Sequence, residues 1–208
     1  MNSVLKIVER LRKDPIREKI ENRMKEFESF KEKSDEEIFN ELCFCLLTAN
    51  FNAEGGIRIQ KEIGEGFSKN SEKELAKKLS ALGHRFPNAR ARYIFEAQKH
   101  KKGLKKNLES FDDECEAREW IVKNVKGLGF KEASHFLRNI GYQNVAIIDF
   151  HIIDLLVKNN LIEKPKTISK KNYTEIEKVL EKISKKTGLS LGELDLYLWY
   201  EETGKVLK

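Results

Sequence analysis

The strongest constraint on the fold of this 208-residue chain is a nine-residue stretch, Val125-Lys126-Gly127-Leu128-Gly129-Phe130-Lys131-Glu132-Ala133. Gly127 and Gly129 flank an aliphatic residue between two segments with apolar residues at helical spacing. Trp120, Ile121 and Val125 precede the joint, and Ala133, Phe136, Leu137 and Ile140 follow it. A joint this short predicts a tight hairpin of two helices, because glycine reaches positive φ without steric cost. It also bares the backbone N–H groups that open the second helix. Together with the positive end of the helix dipole, those groups form a site for one phosphate. Lys131 falls at that helix start, where the dipole disfavours an ammonium and so favours the neutral, nucleophilic amine.

The rest of the chain reads as helix almost throughout. Short amphipathic segments are expected over residues 4–13 and 16–30, separated by Asp14-Pro15. Ser34 and Glu37 form a capping box before a strongly apolar helix over 38–47, the expected centre of the core. A small-residue turn covers 48–56 and helix resumes at Ile57. Ser71 and Glu74 cap a helix over 75–82, residues 83–88 turn, and a helix over 89–106 ends in a basic run, Lys101, Lys102, Lys105 and Lys106. Asp112 or Asp113 caps the first hairpin helix. The apolar run Val145-Ala146-Ile147-Ile148 leads into Asp149, which can cap a helix over 152–157. Beyond a connector around Pro165, Tyr173, Ile176, Val179, Leu180 and Ile183 mark one helical face. Ser190 and Glu193 cap the last helix, which carries Tyr197, Trp199 and Tyr200. No alternating strand pattern or repeat interrupts this series, so the expected fold is all-α.

Composition narrows the function classes. A net charge of +6 favours an anionic partner. No apolar run approaches the ~18 residues of a membrane span, and the N-terminus lacks an apolar signal core. Three cysteines suggest a reducing compartment. Cys43 and Cys45 lie two apart in an apolar helix and Cys115 stands alone, a spacing that fits buried apolar thiols rather than a metal site.

The hairpin stretch resembles the helix-hairpin-helix motif of DNA glycosylases, with Lys126 in place of a proline and Leu128 in place of a valine. Asp149-Phe150-His151, eighteen residues after Lys131, matches the Asp-x-His of that superfamily, except that Phe150 stands where a basic residue is expected. Further segments make the likeness more specific. They are residues 46–50 with 53–58, Gly83-His84-Arg85-Phe86, residues 131–139 and residues 194–200. Together they resemble the archaeal-type 8-oxoguanine DNA glycosylase/AP lyase family, essentially end to end.

The resemblance implies two helical lobes flanking a DNA-binding cleft, residues 34–145 in one and 1–33 with 146–208 in the other. It implies Lys131 as the Schiff-base nucleophile and Asp149 as the carboxylate that stabilises the cationic sugar. Phe86 and Trp199 would sandwich the extruded purine, and Lys208, through a chain-end carboxylate, would accept the N7–H that distinguishes 8-oxoguanine from guanine. Asn50 would fill the gap left by the flipped base. Gly127, Gly129 and His151 would meet DNA phosphates. The implied reaction is base excision followed by strand cleavage through β-elimination, without metal or organic cofactor. The expected partner is double-stranded DNA containing oxidised guanine, met by a monomer in the cytoplasm of a prokaryotic cell. Two alternatives share the motif: the same chemistry on another damaged base, or a non-catalytic helix-hairpin-helix module that binds DNA.

Overall fold

Short polar side chains start the helices where the sequence places them. Ser34 and Ser71 each form a full capping box with the glutamate three residues on, and Asp113, Asp149 and Ser190 accept the N–H three residues ahead. Each such cap is worth about 1 kcal/mol. The computed structural model describes residues 1–208 and is all-α. In chain order the helices are α1 (Asn2–Leu11), α2 (Ile16–Ser29), α3 (Asp35–Thr48), α4 (Ala53–Ile63), α5 (Gly66–Lys69), α6 (Glu72–Ala81) and α7 (Pro87–Ala97). They continue with α8 (Leu104–Glu109), α9 (Glu114–Asn124), α10 (Phe130–Asn139), α11 (Phe150–Lys158), α12 (Lys170–Thr187) and α13 (Leu191–Thr203). No helix is long and apolar enough to cross a membrane.

The buried apolar side chains gather into two clusters. One draws on α3 to α10 and is centred on α3, which is buried all round from Ile38 to Thr48 apart from Asn40. The α4, α5, α7, α8 and α10 helices pack against it. Each fully buried leucine or phenylalanine on α3 contributes about 1.5–3 kcal/mol. The second cluster joins α1 and α2 to α11, α12 and α13. The chain passes between them at Val145 and Ala146, which fall in the first and second cluster respectively.

Three local expectations need correction. Helix α4 begins at Ala53, not Ile57, because the Asn52 side chain accepts the Gly55 N–H and turns the small residues into a first helical turn. The single helix expected over 89–106 breaks after Ala97. There the Gln98 amide donates to the carbonyls of Phe67 and Asn70, and Gly103 takes a left-handed φ of 74° while Asp35 accepts the N–H groups of Gly103 and Lys105. Within the basic run that follows, Lys101 and Lys105 donate to the carbonyls of Ser68 and Lys31, so half of it is tied to the fold. Cys43 and Cys45 are buried, but Cys115, on the first turn of α9, is exposed.

Candidate active site

The hairpin joint is shaped by contact as well as by sequence. Gly127 has φ 96°, and a Cβ there would lie 2.4 Å from Cδ2 of Tyr93 on α7, so only glycine fits both the turn and the close approach. Leu128 is buried beneath the joint, anchoring it to the first cluster. Gly129 is extended and caps α10; its N–H faces Glu132 Oε2 at 3.3 Å. That carboxylate therefore stands beside the donors expected to hold a phosphate.

Next to the hairpin lies a cleft of about 880 Å³, walled on one side by the end of α3 and the start of α10 and on the other by α11 and α13. Six of the expected site residues line it: Asn50, Lys131, Asp149, His151, Trp199 and Lys208. Three do not. Gly127 and Gly129 form the joint beside it. Phe86, 40% exposed at the N-terminus of α7, lies outside it, with its neighbour Arg85 in the wall and the Arg85 guanidinium 5.0 Å from its ring centre.

Each lining side chain has a physical reason to be where it is. Lys131, in the first turn of α10, keeps about 29% of its side chain exposed and places Nζ 3.9 Å from Glu132 Oε1. Asp149 accepts the Ile152 N–H at 3.0 Å through Oδ1, so the same carboxylate caps α11 and faces the cleft. His151 packs edge-on to Trp199. Phe150 lies against His151 and, at 66% exposed, is the most exposed large apolar side chain in the protein.

Beneath the cleft runs a buried polar chain. Asp195 accepts from Arg138 Nη1 at 2.6 Å, Arg138 donates to Asn139 Oδ1, and Asn139 Nδ2 donates to Glu41 Oε1 at 2.7 Å. Glu41 Oε2 then accepts from Lys208 Nζ at 2.8 Å, and that ammonium also donates to Gln60 Oε1 and sits 4.5 Å from the Phe44 ring centre. Lys208 is thereby docked against α3 and α4 rather than frayed. With Asp195 ionised, the chain carries two anions and two cations and no net charge; with Asp195 protonated it carries one positive charge. Burial pushes the Asp195 carboxyl up to about 7, with Asp149 adding to the rise and Arg138 opposing it. Burial, then the charges of Arg138 and Lys131, hold His135 well below the usual histidine range, so it is neutral in the cleft wall.

Sequence reasoning takes His135, Arg138, Asn139 and Asp195 only as members of the matching segments 131–139 and 194–200, and passes over Glu41 and Gln60 altogether. Glu41 did leave a signal: it is the only charged residue between Ile38 and Leu47 on a helix otherwise buried in apolar surroundings. A carboxylate in such a place needs cationic or hydrogen-bonding partners.

Known proteins resemble this chain over nearly its whole length. A family model described as 8-oxoguanine DNA glycosylase matches residues 20–189. The chain is 61% identical over 202 residues to the 8-oxoguanine DNA glycosylase/AP lyase of Korarchaeum cryptofilum, covering 97% of this chain and 96% of that one. It is also similar to the crystal structure of Methanocaldococcus jannaschii 8-oxoguanine glycosylase/lyase in complex with a 15mer DNA containing 8-oxoguanine. The TM-score is 0.96 at 56% identity, covering 99% of this chain and all of that one. The crystal structure of the Thermotoga maritima 8-oxoguanine DNA glycosylase matches with a TM-score of 0.93 at 47% identity, over the full length of both chains. This all-α helix-hairpin-helix chain belongs to the 8-oxoguanine DNA glycosylase family.

Proposed function

We propose that this protein excises 8-oxoguanine from double-stranded DNA and then nicks the strand, acting as a bifunctional glycosylase and AP lyase. The observation that carries the reading is the meeting of Lys131 and Asp149 in one cleft beside the hairpin, in a chain of this family. The two buried clusters act as the two lobes, residues 34–145 and residues 1–33 with 146–208. The hairpin N–H groups at Gly129 and the turn at Gly127 hold a phosphate near the lesion, taking over from Glu132, and His151 donates to another.

The damaged nucleotide is flipped into the cleft, at a cost of a few kcal/mol, and Asn50 fills the vacated place in the helix. Trp199 offers one aromatic face to the flat base. Phe86 reaches the other face by closing over the cleft rim, where its exposure leaves it free to move. A main-chain oxygen of Lys208, fixed by the grip of Glu41 and Gln60 on its side chain, accepts the N7–H of 8-oxoguanine. Guanine presents an acceptor at N7 and is repelled there.

The chemistry then needs one amine and one carboxylate. Lys131 gives up a proton and its Nζ attacks C1′, breaking the N-glycosidic bond, and the base leaves taking a proton. Asp149 stabilises the positive charge that develops on the sugar. Opening of the sugar ring gives a Schiff base between Nζ and C1′. Loss of a C2′ proton expels the 3′ phosphate by β-elimination, and water releases the lysine.

Borohydride trapping on a duplex with one 8-oxoguanine tests this directly. Reduction of the Schiff base should give a covalent protein–DNA adduct with the wild type and none with Lys131→Gln. An adduct that survives Lys131→Gln would remove Lys131 from the role. Retained DNA binding with no wild-type adduct would leave either another lesion or a binding module without catalysis.

A further inference from the structure

Asn50 is one of only two non-glycine residues with a left-handed backbone, at φ 58°. It is exposed in the cleft wall and its side chain makes no hydrogen bond, so nothing it does itself holds that conformation. The turn is held from behind instead. The Arg90 guanidinium on α7, only 7% exposed, donates from Nη2 to the carbonyl of Ala49. The His84 ring, 4% exposed, lies 3.0 Å from the Leu47 carbonyl through Nε2 and stacks 4.4 Å from Phe51. The other ring nitrogen, Nδ1, accepts the Phe86 N–H at 3.0 Å, which puts the proton of the neutral ring on Nε2, where it donates to Leu47.

These two side chains are costly to place there. Arg90 has no carboxylate partner, and its Nε is buried with no acceptor. Burial is also the largest influence lowering both groups from their ordinary pKa values. A buried guanidinium without a counter-ion weighs against stability, so a packing role alone is a poor account of it. What Arg90 and His84 have in common is the Asn50 turn: they fix the backbone on its N-terminal side, and His84 ties that turn to Phe86.

We infer that Arg90 and His84 are positioning residues that preform the Asn50 turn as a plug for the helix, and so set how strongly the enzyme prefers duplex over single-stranded DNA. The inference rests on the proposed role of Asn50. A plug matters only where an intact helix would otherwise collapse behind the flipped base. In a single strand there is no such gap, and the same catalytic groups act without it.

The test compares single-turnover cleavage of 8-oxoguanine in a duplex, opposite cytosine, with cleavage of the same strand alone. Both rates scale with the amount of folded enzyme, so their ratio is unaffected if a variant folds poorly. Arg90→Ala should lower the duplex-to-single-strand ratio about tenfold, a change of ~1.4 kcal/mol in the duplex barrier. Arg90→Lys, whose ammonium can still reach the Ala49 carbonyl, should recover most of it. His84→Ala should lower the ratio in the same direction. In an Asn50→Ala background, which lowers the ratio by itself, Arg90→Ala should add nothing. A ratio unchanged by Arg90→Ala but lowered by Asn50→Ala would overturn the inference and leave the role of Asn50 standing. A ratio unchanged by Asn50→Ala would overturn that role and the inference with it.

Discussion

Two buried ion pairs join the helices of the first cluster to those of the second, and they behave in opposite ways. Arg118 on α9 meets Glu177 on α12, and Arg138 on α10 meets Asp195 on α13; none of the four side chains is more than a tenth exposed. Glu177 receives both ends of its arginine, at 2.5 and 2.8 Å, and also the Ala146 N–H at 2.8 Å. Burial opposes the charge on Arg118, but the hydrogen bonds and charge of Glu177 outweigh it and its pKa is raised. Asp195 receives a single guanidinium hydrogen bond, because Arg138 spends its other donors on Asn139, and it faces a second carboxylate, Asp149. There burial wins: Arg138 is lowered and Asp195 is pushed up to about 7. Charge type and solvent exposure are nearly the same in both, although Arg138 lies deeper in the protein than Arg118. What differs is how many donors each carboxylate collects and whether another anion lies near, and that separates a fixed pin from a group that can change its charge beside the cleft.

The pin should be the harder to break. Glu177→Ala would leave the Arg118 guanidinium buried without its anion and the Ala146 N–H without an acceptor. The expected loss is about 3–5 kcal/mol of folding stability in urea unfolding. Asp195→Ala, measured alongside at pH 6, should cost less, since much of the Asp195 population is already protonated there. Equal losses would mean that burial alone decides the strength of the pair, and the distinction between them would fall.

A second measurement uses the sign of the Asp195 shift. Its carboxyl titrates near 7 in the folded protein and near the ordinary aspartate value when unfolded. Between those values the native state holds the extra proton, so protonation stabilises the fold at low pH and that contribution is lost as pH rises from about 4 to about 7. The stability of the wild type relative to Asp195→Asn should therefore fall between pH 5 and pH 8 and level off above. A relative stability that stays flat across the same interval would show Arg138 holding the Asp195 carboxylate ionised throughout.

Neither pair could be read from the sequence, and the reason is physical. The hairpin was legible because Gly127 and Gly129 act on their own neighbours, and the capping residues Ser34, Ser71, Asp113, Asp149 and Ser190 each bond three positions away. Periodicity marked α3 as central because its apolar residues run without a polar face. Arg118 and Glu177 lie 59 positions apart, Glu41 and Asn139 98, and Glu41 and Lys208 167. Partners at such separations follow from helix packing and leave no local pattern. The break after Ala97 was missed for the same reason, since it depends on the Phe67 and Asn70 carbonyls meeting Gln98. Asp149 shows the limit of a local reading: its capping bond could be anticipated from sequence, but its place in the cleft wall depends on α11 packing against α13.

The smallest expected effect isolates what makes Arg118–Glu177 strong. Lys170 at the start of α12 reaches Glu119 on α9 at 2.7 Å, so it joins the same two helices as the pin with the cation and anion exchanged between them. Both side chains are more than half exposed. Water and salt screen such a pair, and holding two long side chains in one geometry costs entropy, so exposed pairs contribute from nothing to about 1 kcal/mol. Lys170→Ala should therefore change stability by less than about 1 kcal/mol in urea unfolding, and that small change should shrink further as salt is raised. A loss approaching that of Glu177→Ala would mean that any ion pair between α9 and α12 stiffens the junction. A loss that stays small while Glu177→Ala is severe would assign the strength of the pin to its buried, multiply bonded carboxylate, the feature that Asp195 lacks.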